Sequence, residues 1–455
     1  LINNAGGAAA QPFCFRRHAM SRRITVGALT VVAFGLLGFT VLSWRRAIPP
    51  VDQPTVASFT PQSIARGELL AAEAHCASCH TQPGGEPYAG GYGVHTPFGT
   101  IYGSNITPDA TTGIGRWSLA AFTRAMREGV SRNGAHLFPA FPYPAYTELR
   151  DADITALYAY IMTRNPVTAT PPPNTVPFPL NVRLMQEGWK ILFFRSNPFR
   201  DSATKSPQWN RGRYLAEAPG DCGGCHTPRN ALGAEELRDP YAGTVVDNWI
   251  APALSETNPS PVPWTEQELF EYLRTGVAVR HGAATAALMT PVIRGALALS
   301  VVPDSDVRAI AVYFSDFDHA GARGSDIDAI VGKAVQVSAA GSGDEDDADA
   351  SLYTGACLSC HYNAATHLLP TRPELALNSA LALDEPTNFI EPVLRGVGST
   401  DGAPGLLMPA YASAMTDAEV ARLAAYLRRT RTTRPPWTGL EKKVSAVRRE
   451  LAGAH

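Results

Sequence analysis

Three times in this 455-residue chain, two cysteines separated by two residues are followed at once by a histidine: Cys76 to His80, Cys222 to His226 and Cys357 to His361. The repetition constrains the chain more than any other feature. A disulfide framework needs neither identical spacings nor a histidine after each pair. Zinc sites need pairs that combine into four-ligand sets, and three identical units do not divide that way. Two cysteines along one helical turn point the same way and can form thioethers to the two vinyl groups of one porphyrin edge. The next histidine then lies under the ring and supplies one axial nitrogen to iron. The motif therefore predicts three covalent haems c, on Cys76, Cys79, Cys222, Cys225, Cys357 and Cys360, with His80, His226 and His361 as iron ligands. Of the seven cysteines only Cys14 is left over.

The motifs sit inside a repeated plan. Short helix-like stretches precede the first two, at Ile64–Leu70 and Arg211–Leu215; the third has only Leu352 and Tyr353 in comparable places. Each is followed by a helical segment closed by Gly129, Gly276 or Gly396, a glycine stop. Closing helices run from Asp151 to Tyr160, Asp304 to Tyr313 and Asp417 to Tyr426, with the same nine-residue interval and apolar residues at i, i+3 and i+6. Their leading acids are expected to cap the helix and suit its dipole.

The second axial ligand should come from the loop before each closing helix, and methionine there raises the potential relative to histidine. Met408 fills this place in the third repeat, with Met415 a rival that is better placed to pack. Met289 fills it in the second, with His281 nearby. In the first repeat Phe141 stands where the methionine belongs, and phenylalanine cannot bind iron. Its sixth ligand must be His136, Met126, Met162 or His95, or the iron is five-coordinate; His136, five residues from the expected position, is the expected ligand.

Ile24 to Trp44 is 21 residues without a charge, flanked by arginines. As a helix it would span roughly 31 Å, the thickness of a bilayer core. A cleaved signal is the rival, but the run is long for one and Ser43-Trp44-Arg45-Arg46 offers no small-residue cleavage site. The expectation is a membrane anchor at 24–44 behind a leader, 1–23, that is untranslated or cytoplasmic, with translation starting at Met20. Because c-type haem is attached outside the cytoplasmic membrane, the bulk is expected in the periplasm of a bacterial inner-membrane protein.

Six prolines between Pro166 and Pro179 read as an extended connector, and Asp344-Glu345-Asp346-Asp347 as a solvated acidic linker. Leu440, Val444, Val447 and Leu451 mark a C-terminal amphipathic helix. A net charge of −2 gives no reason to expect nucleic acid as a partner. None of GxSxG, HExxH, a Walker motif or a GxGxxG in its strand–helix context is found, which places substrate chemistry elsewhere.

Thr96 to Tyr102 with Asn105 to Pro108, Pro139 to Tyr143, Pro177 to Asn181 and Cys225 to Asn230 resemble the triple-haem cytochrome c subunits of bacterial membrane-bound dehydrogenases, over about residues 60–430. The resemblance implies a mainly α protein of three tandem cytochrome c-like domains with long irregular loops. The expected units are 58–166, 205–322 and 351–430, with a connector at 167–204, an acidic linker at 323–350 and a C-terminal helix at 431–455. It also implies His80, His226 and His361 as proximal ligands, Met289 and Met408 as distal ones, and Thr100 to Asn105 and Arg229 beside haems.

Such subunits pass electrons from a catalytic dehydrogenase subunit to ubiquinone. Phe141 departs from the alcohol-dehydrogenase branch and points to a molybdopterin aldehyde dehydrogenase-type complex, in which a small iron–sulfur subunit is a further partner. A quinoprotein alcohol or flavin-dependent sugar or polyol dehydrogenase is the alternative. Two other classes stay open: an autonomous haem peroxidase or reductase using an open first haem, and a donor to a terminal oxidase.

Overall fold

The computed structural model describes residues 15–284, 289–317, 326–339, 347–363, 368–398 and 407–453. Helices dominate, and the repeated plan takes physical form. Opening helices are Pro61–Glu73, Pro207–Glu217 and Ala348–Ala356. The first two begin with a hydroxyl cap and a proline: Thr60 accepts from the Ser63 N–H and Ser206 from the Trp209 N–H. Each is followed by the short turn that carries the CxxCH, then a middle helix: Leu119–Glu128, Glu266–Thr275 and Thr387–Arg395. Gly129 and Gly276 stop the first two in the left-handed region, with φ of 59° and 77°.

The closing helices are Asp151–Met162, Asp304–Phe317 and Asp417–Arg431. Each packs across its own opening helix. In the first two repeats a glycine makes this approach possible. A side-chain carbon on Gly67 would lie 2.0 Å from the Ala156 carbonyl oxygen, and one on Gly212 would lie 1.8 Å from that of Ala309. The preceding arginines lock the crossing: Arg66 pairs with Asp153 at 3.0 Å and Arg211 with Asp306 at 2.8 Å. The third repeat uses Tyr353 against Tyr426 instead, ring centres 5.8 Å apart.

The leading acids are not the caps the sequence reading expected. Arg150 holds the cap position of the first closing helix and Thr416 that of the third, in a capping box with Glu419. The acids occupy the first helical turn, where Asp153 and Asp306 serve the arginine locks.

Among the described residues three hairpins interrupt the helices, Gly93–Thr96 with Gly99–Tyr102, Thr244–Val246 with Trp249–Ala251, and Val277–Ala278 with Ala283–Ala284. The proline-rich connector is pinned to the first of them. The Thr175 N–H donates to Thr100 O at 3.0 Å, the Tyr102 N–H to Asn174 Oδ1 at 2.9 Å, and Asn105 Nδ2 to Val167 O at 2.7 Å.

The first two repeats share one continuous core, whereas the third has its own. That second core is completed by the C-terminal helix Leu440–Gly453, which buries Val444 and Val447. Arg428, from the basic run after Tyr426, is buried there, its guanidinium 4.5 Å from the Trp437 ring centre. The linker expected at 323–350 needs correction, because Ile327–Ala339 is a helix. Its Val331, Ala334 and Val335 pack with Val262, Leu368 and Leu377. The acidic residues 344–346 lie outside the described residues.

At the N-terminus one helix, Phe15–Ser43, contains an 18-residue stretch, Val26–Ser43, of mean hydropathy 2.1 that is 6% buried. Length and composition suffice to cross a membrane.

Candidate haem sites

The three motif histidines are held alike. His80 Nδ1 lies 2.7 Å from Ser104 O, His226 Nδ1 2.7 Å from Pro252 O, and His361 Nδ1 3.0 Å from Pro373 O. A carbonyl oxygen can only accept, so each Nδ1 carries the proton and each Nε2 keeps a lone pair for a metal. Burial holds all three rings below the usual histidine range, which keeps them neutral.

The cysteines also repeat a pattern: the first of each pair is half-buried and the second exposed. Burial pushes the Cys76 and Cys222 thiols up to about 12, so both carry their protons at neutral pH. Among the described residues no three His, Cys, Asp or Glu side chains converge on a metal-ion position. Two thiols on one turn, one of them exposed, and a free Nε2 lone pair on the next histidine fit a porphyrin with iron at its centre.

Close backbone approaches brace two of these motifs. A side-chain carbon on Gly103 would lie 1.8 Å from Cys79 O, and Gly243 donates its N–H to His226 O at 2.7 Å. Arg229 braces the second turn, donating to Gly224 O at 2.6 Å and Gly233 O at 2.8 Å. The first two sites are neighbours: Cys79 feels the charge of Asp221, and Cys225 that of Cys79.

In each repeat the residues after the glycine stop pair back with the loop expected to carry the second ligand: Val130 with His136, Val277 with Ala284, and Val397 with Met408. Met408 then packs on the third core, and Met289, at the start of the short helix Met289–Val292, on the shared core. The rivals have other neighbours. The His281 ring stacks on Trp264 at 3.6 Å with Nδ1 2.8 Å from Ser260 Oγ, while its Nε2 makes no hydrogen bond and lies 3.6 Å from Glu268 Oε2. Met415 is buried in the third core.

In the first repeat Phe141 lies on the shared core, its ring edge-on to Tyr146 at 5.5 Å. Met126 and Met162 are buried in that core, and His95 Nδ1 meets Thr100 Oγ1 at 3.1 Å. His136, the expected sixth ligand, does not fit the role. Its Nε2 donates to Ser43 O at 2.8 Å, which leaves Nδ1 to accept from the Lys190 ammonium at 3.2 Å. Both ring nitrogens are thus used within the protein, and the ring is 2% exposed. Residue spacing placed His136 near the loop but carried no sign that Ser43 and Lys190, distant in sequence, would occupy it.

A CxxCH turn, a histidine anchored through Nδ1 and an opening and a closing helix packed across one another define a c-type cytochrome. The model for the family Cytochrome c matches residues 64–165, and that for Cytochrome C oxidase, cbb3-type, subunit III matches 344–427. The middle motif lies between these stretches. The chain is 36% identical to the fructose dehydrogenase cytochrome subunit of Gluconobacter japonicus, over 89% of this chain and 85% of that one. It is 35% identical to the gluconate 2-dehydrogenase cytochrome c subunit of Pantoea cypripedii, over 86% and 91%. A nicotinate dehydrogenase subunit of Pseudomonas putida is 43% identical over 91% of this chain, which spans only 34% of that protein.

The chain belongs to the family of dehydrogenase cytochrome c subunits, and its role is electron transfer with covalently bound haem c.

Proposed function

We propose that the chain holds three haems c and carries electrons from a catalytic dehydrogenase subunit to ubiquinone. The observation that carries this reading is the threefold repetition of one ligand geometry, a CxxCH histidine with its Nδ1 proton given to a backbone carbonyl. Bound haem supplies a reversible one-electron change at iron. The chain's own part is to attach and orient. The six motif cysteines form the thioethers, and His80, His226 and His361 present Nε2. Ser104, Pro252 and Pro373 hold the opposite proton, which makes each imidazole a stronger donor. Met289 and Met408 supply the second ligand in the second and third units. The first unit, with Phe141 in the loop, has no methionine there, and His136 is not among its ligands.

The catalytic partner proposed is of the molybdopterin type, on the strength of Phe141 and of the 43% identity to the nicotinate dehydrogenase protein, with an iron–sulfur subunit alongside. The units run over 58–166, 205–322 and 348–430, the third beginning with its opening helix rather than at 351, with residues 24–44, around Val26–Ser43, as a membrane anchor and the bulk in the periplasm. Purification of the complex in mild detergent tests the reading. A molybdopterin subunit should accompany the chain, and its substrate should reduce a soluble ubiquinone analogue only when the chain is present. Phe141 favours one second reading, an open first haem that turns over peroxide. Peroxidase activity in the isolated, undamaged chain would support it.

A further inference from the structure

The helix Met185–Phe193 is built inside out. Gln186, Glu187 and Lys190 are its buried residues, whereas Met185, Ile191 and Leu192 are exposed, Leu192 at 62%. The turns before it continue the outward apolar face with Phe178, Leu180 and Val182, Phe178 being 81% exposed. A helix on a water-bathed surface has the opposite arrangement, polar outward and apolar inward. The buried charges are well provided for: Lys190 Nζ donates to Glu128 O at 2.5 Å and Gly129 O at 2.8 Å, and Glu187 pairs with Arg45 at 2.7 Å. This orientation is therefore fixed by several partners.

What covers the apolar face is indicated by its neighbour. Phe39 of the N-terminal helix rests on Gly188, where a side-chain carbon would touch its ring at 3.8 Å. Arg45, the Glu187 partner, follows the end of the same helix, and Ser43 O holds His136 beside Lys190. Phe39 is four residues before Ser43, roughly 6 Å inside the apolar stretch at 1.5 Å per residue. The inside-out helix thus lies level with the last turn of the candidate membrane span. Trp44, 69% exposed, and Arg45 mark the depth at which such a span leaves the hydrocarbon.

We propose that Phe178, Leu180, Val182, Met185, Ile191 and Leu192 form a second membrane contact, seated in the leaflet from which the N-terminal helix emerges. It rests on the reading of Val26–Ser43 as an anchor. The contact would hold the first repeat against the bilayer at a fixed tilt, which a single span cannot do, and bring its haem close to a lipid-soluble acceptor.

The test uses the full-length holoprotein in phosphatidylcholine–phosphatidylglycerol vesicles. With the motif cysteines consumed by haem and Cys14→Ser in the background, nitroxides are attached at Phe178→Cys, Ile191→Cys or Leu192→Cys. Leu37→Cys serves as the anchor control and Leu237→Cys, at a site 75% exposed, as the water control. Collision rates with oxygen and with a water-soluble nickel chelate report the surroundings. The expected result is an oxygen-to-nickel ratio at 178, 191 and 192 that matches 37 and exceeds 237. A lipid-like label at 37 with water-like labels at 178, 191 and 192 overturns the second contact and leaves the anchor standing. Water-like labels at all of these sites overturn the anchor and the contact with it.

Discussion

The Tyr214 hydroxyl donates to Asp153 Oδ2 at 2.5 Å, tying the opening helix of the second repeat to the closing helix of the first, with both residues buried. Arg66 holds the other oxygen of the same carboxylate at 3.0 Å, and the Arg150 guanidinium lies 4.5 Å from the Tyr214 ring centre. The first two repeats are therefore fastened by a polar lock as well as by their common apolar core.

Removing the hydroxyl leaves a buried carboxylate with one partner fewer. Tyr214→Phe should lower stability by about 1.5–3 kcal/mol, the usual range for a hydrogen bond to a charged group. Denaturant midpoints of holoprotein and variant measure this, and haem content should stay unchanged.

Glu73 is 4% exposed and lies 3.6 Å from Arg211, which already serves Asp306. Burial outweighs the arginine and pushes its carboxyl up to about 8. The folded state therefore binds a proton that the unfolded chain gives up near 4.5. The stability it confers is complete below about pH 4.5 and is lost as pH rises to about 8. Glu73→Gln should flatten this stretch of the stability–pH curve, with its largest gain at pH 8 and above.

Phe141 leaves the first haem without a loop methionine. Phe141→Met should bring in a sulfur ligand and raise the potential of one haem, giving it the histidine–methionine spectrum of the other two. Potentiometry of both proteins, read alongside their spectra, checks this.

Met289 and Met408 are proposed ligands of the other two. Met408→Leu and Met289→Leu should each lower the potential of one haem and open that iron to carbon monoxide, leaving covalent haem content intact. A variant with unchanged spectra and potentials would remove that methionine from the ligand set.

Local spacing made the repeated elements legible. The nine-residue interval from Asp151 to Tyr160, and its two copies, marked the closing helices, and Gly129 and Gly276 marked the helix stops. What was missed depends on contacts between distant residues. The acid run at 344–347 masks Ile327–Ala339, whose apolar stripe finds its purpose only against Val262 and Leu377. The glycines of the helix crossings look like ordinary helix weaknesses until Ala156 and Ala309 are seen against them. His136 is near the right loop in sequence, yet its ring nitrogens are settled by Ser43 and Lys190.

The central claim is that the chain carries three haems of which the first differs from the other two. A spectropotentiometric titration of the purified holoprotein tests it most directly. The account predicts three one-electron transitions, two with a shared histidine–methionine signature and a third with a distinct spectrum and potential. Fewer than three transitions, or three with the same histidine–methionine signature, would contradict it.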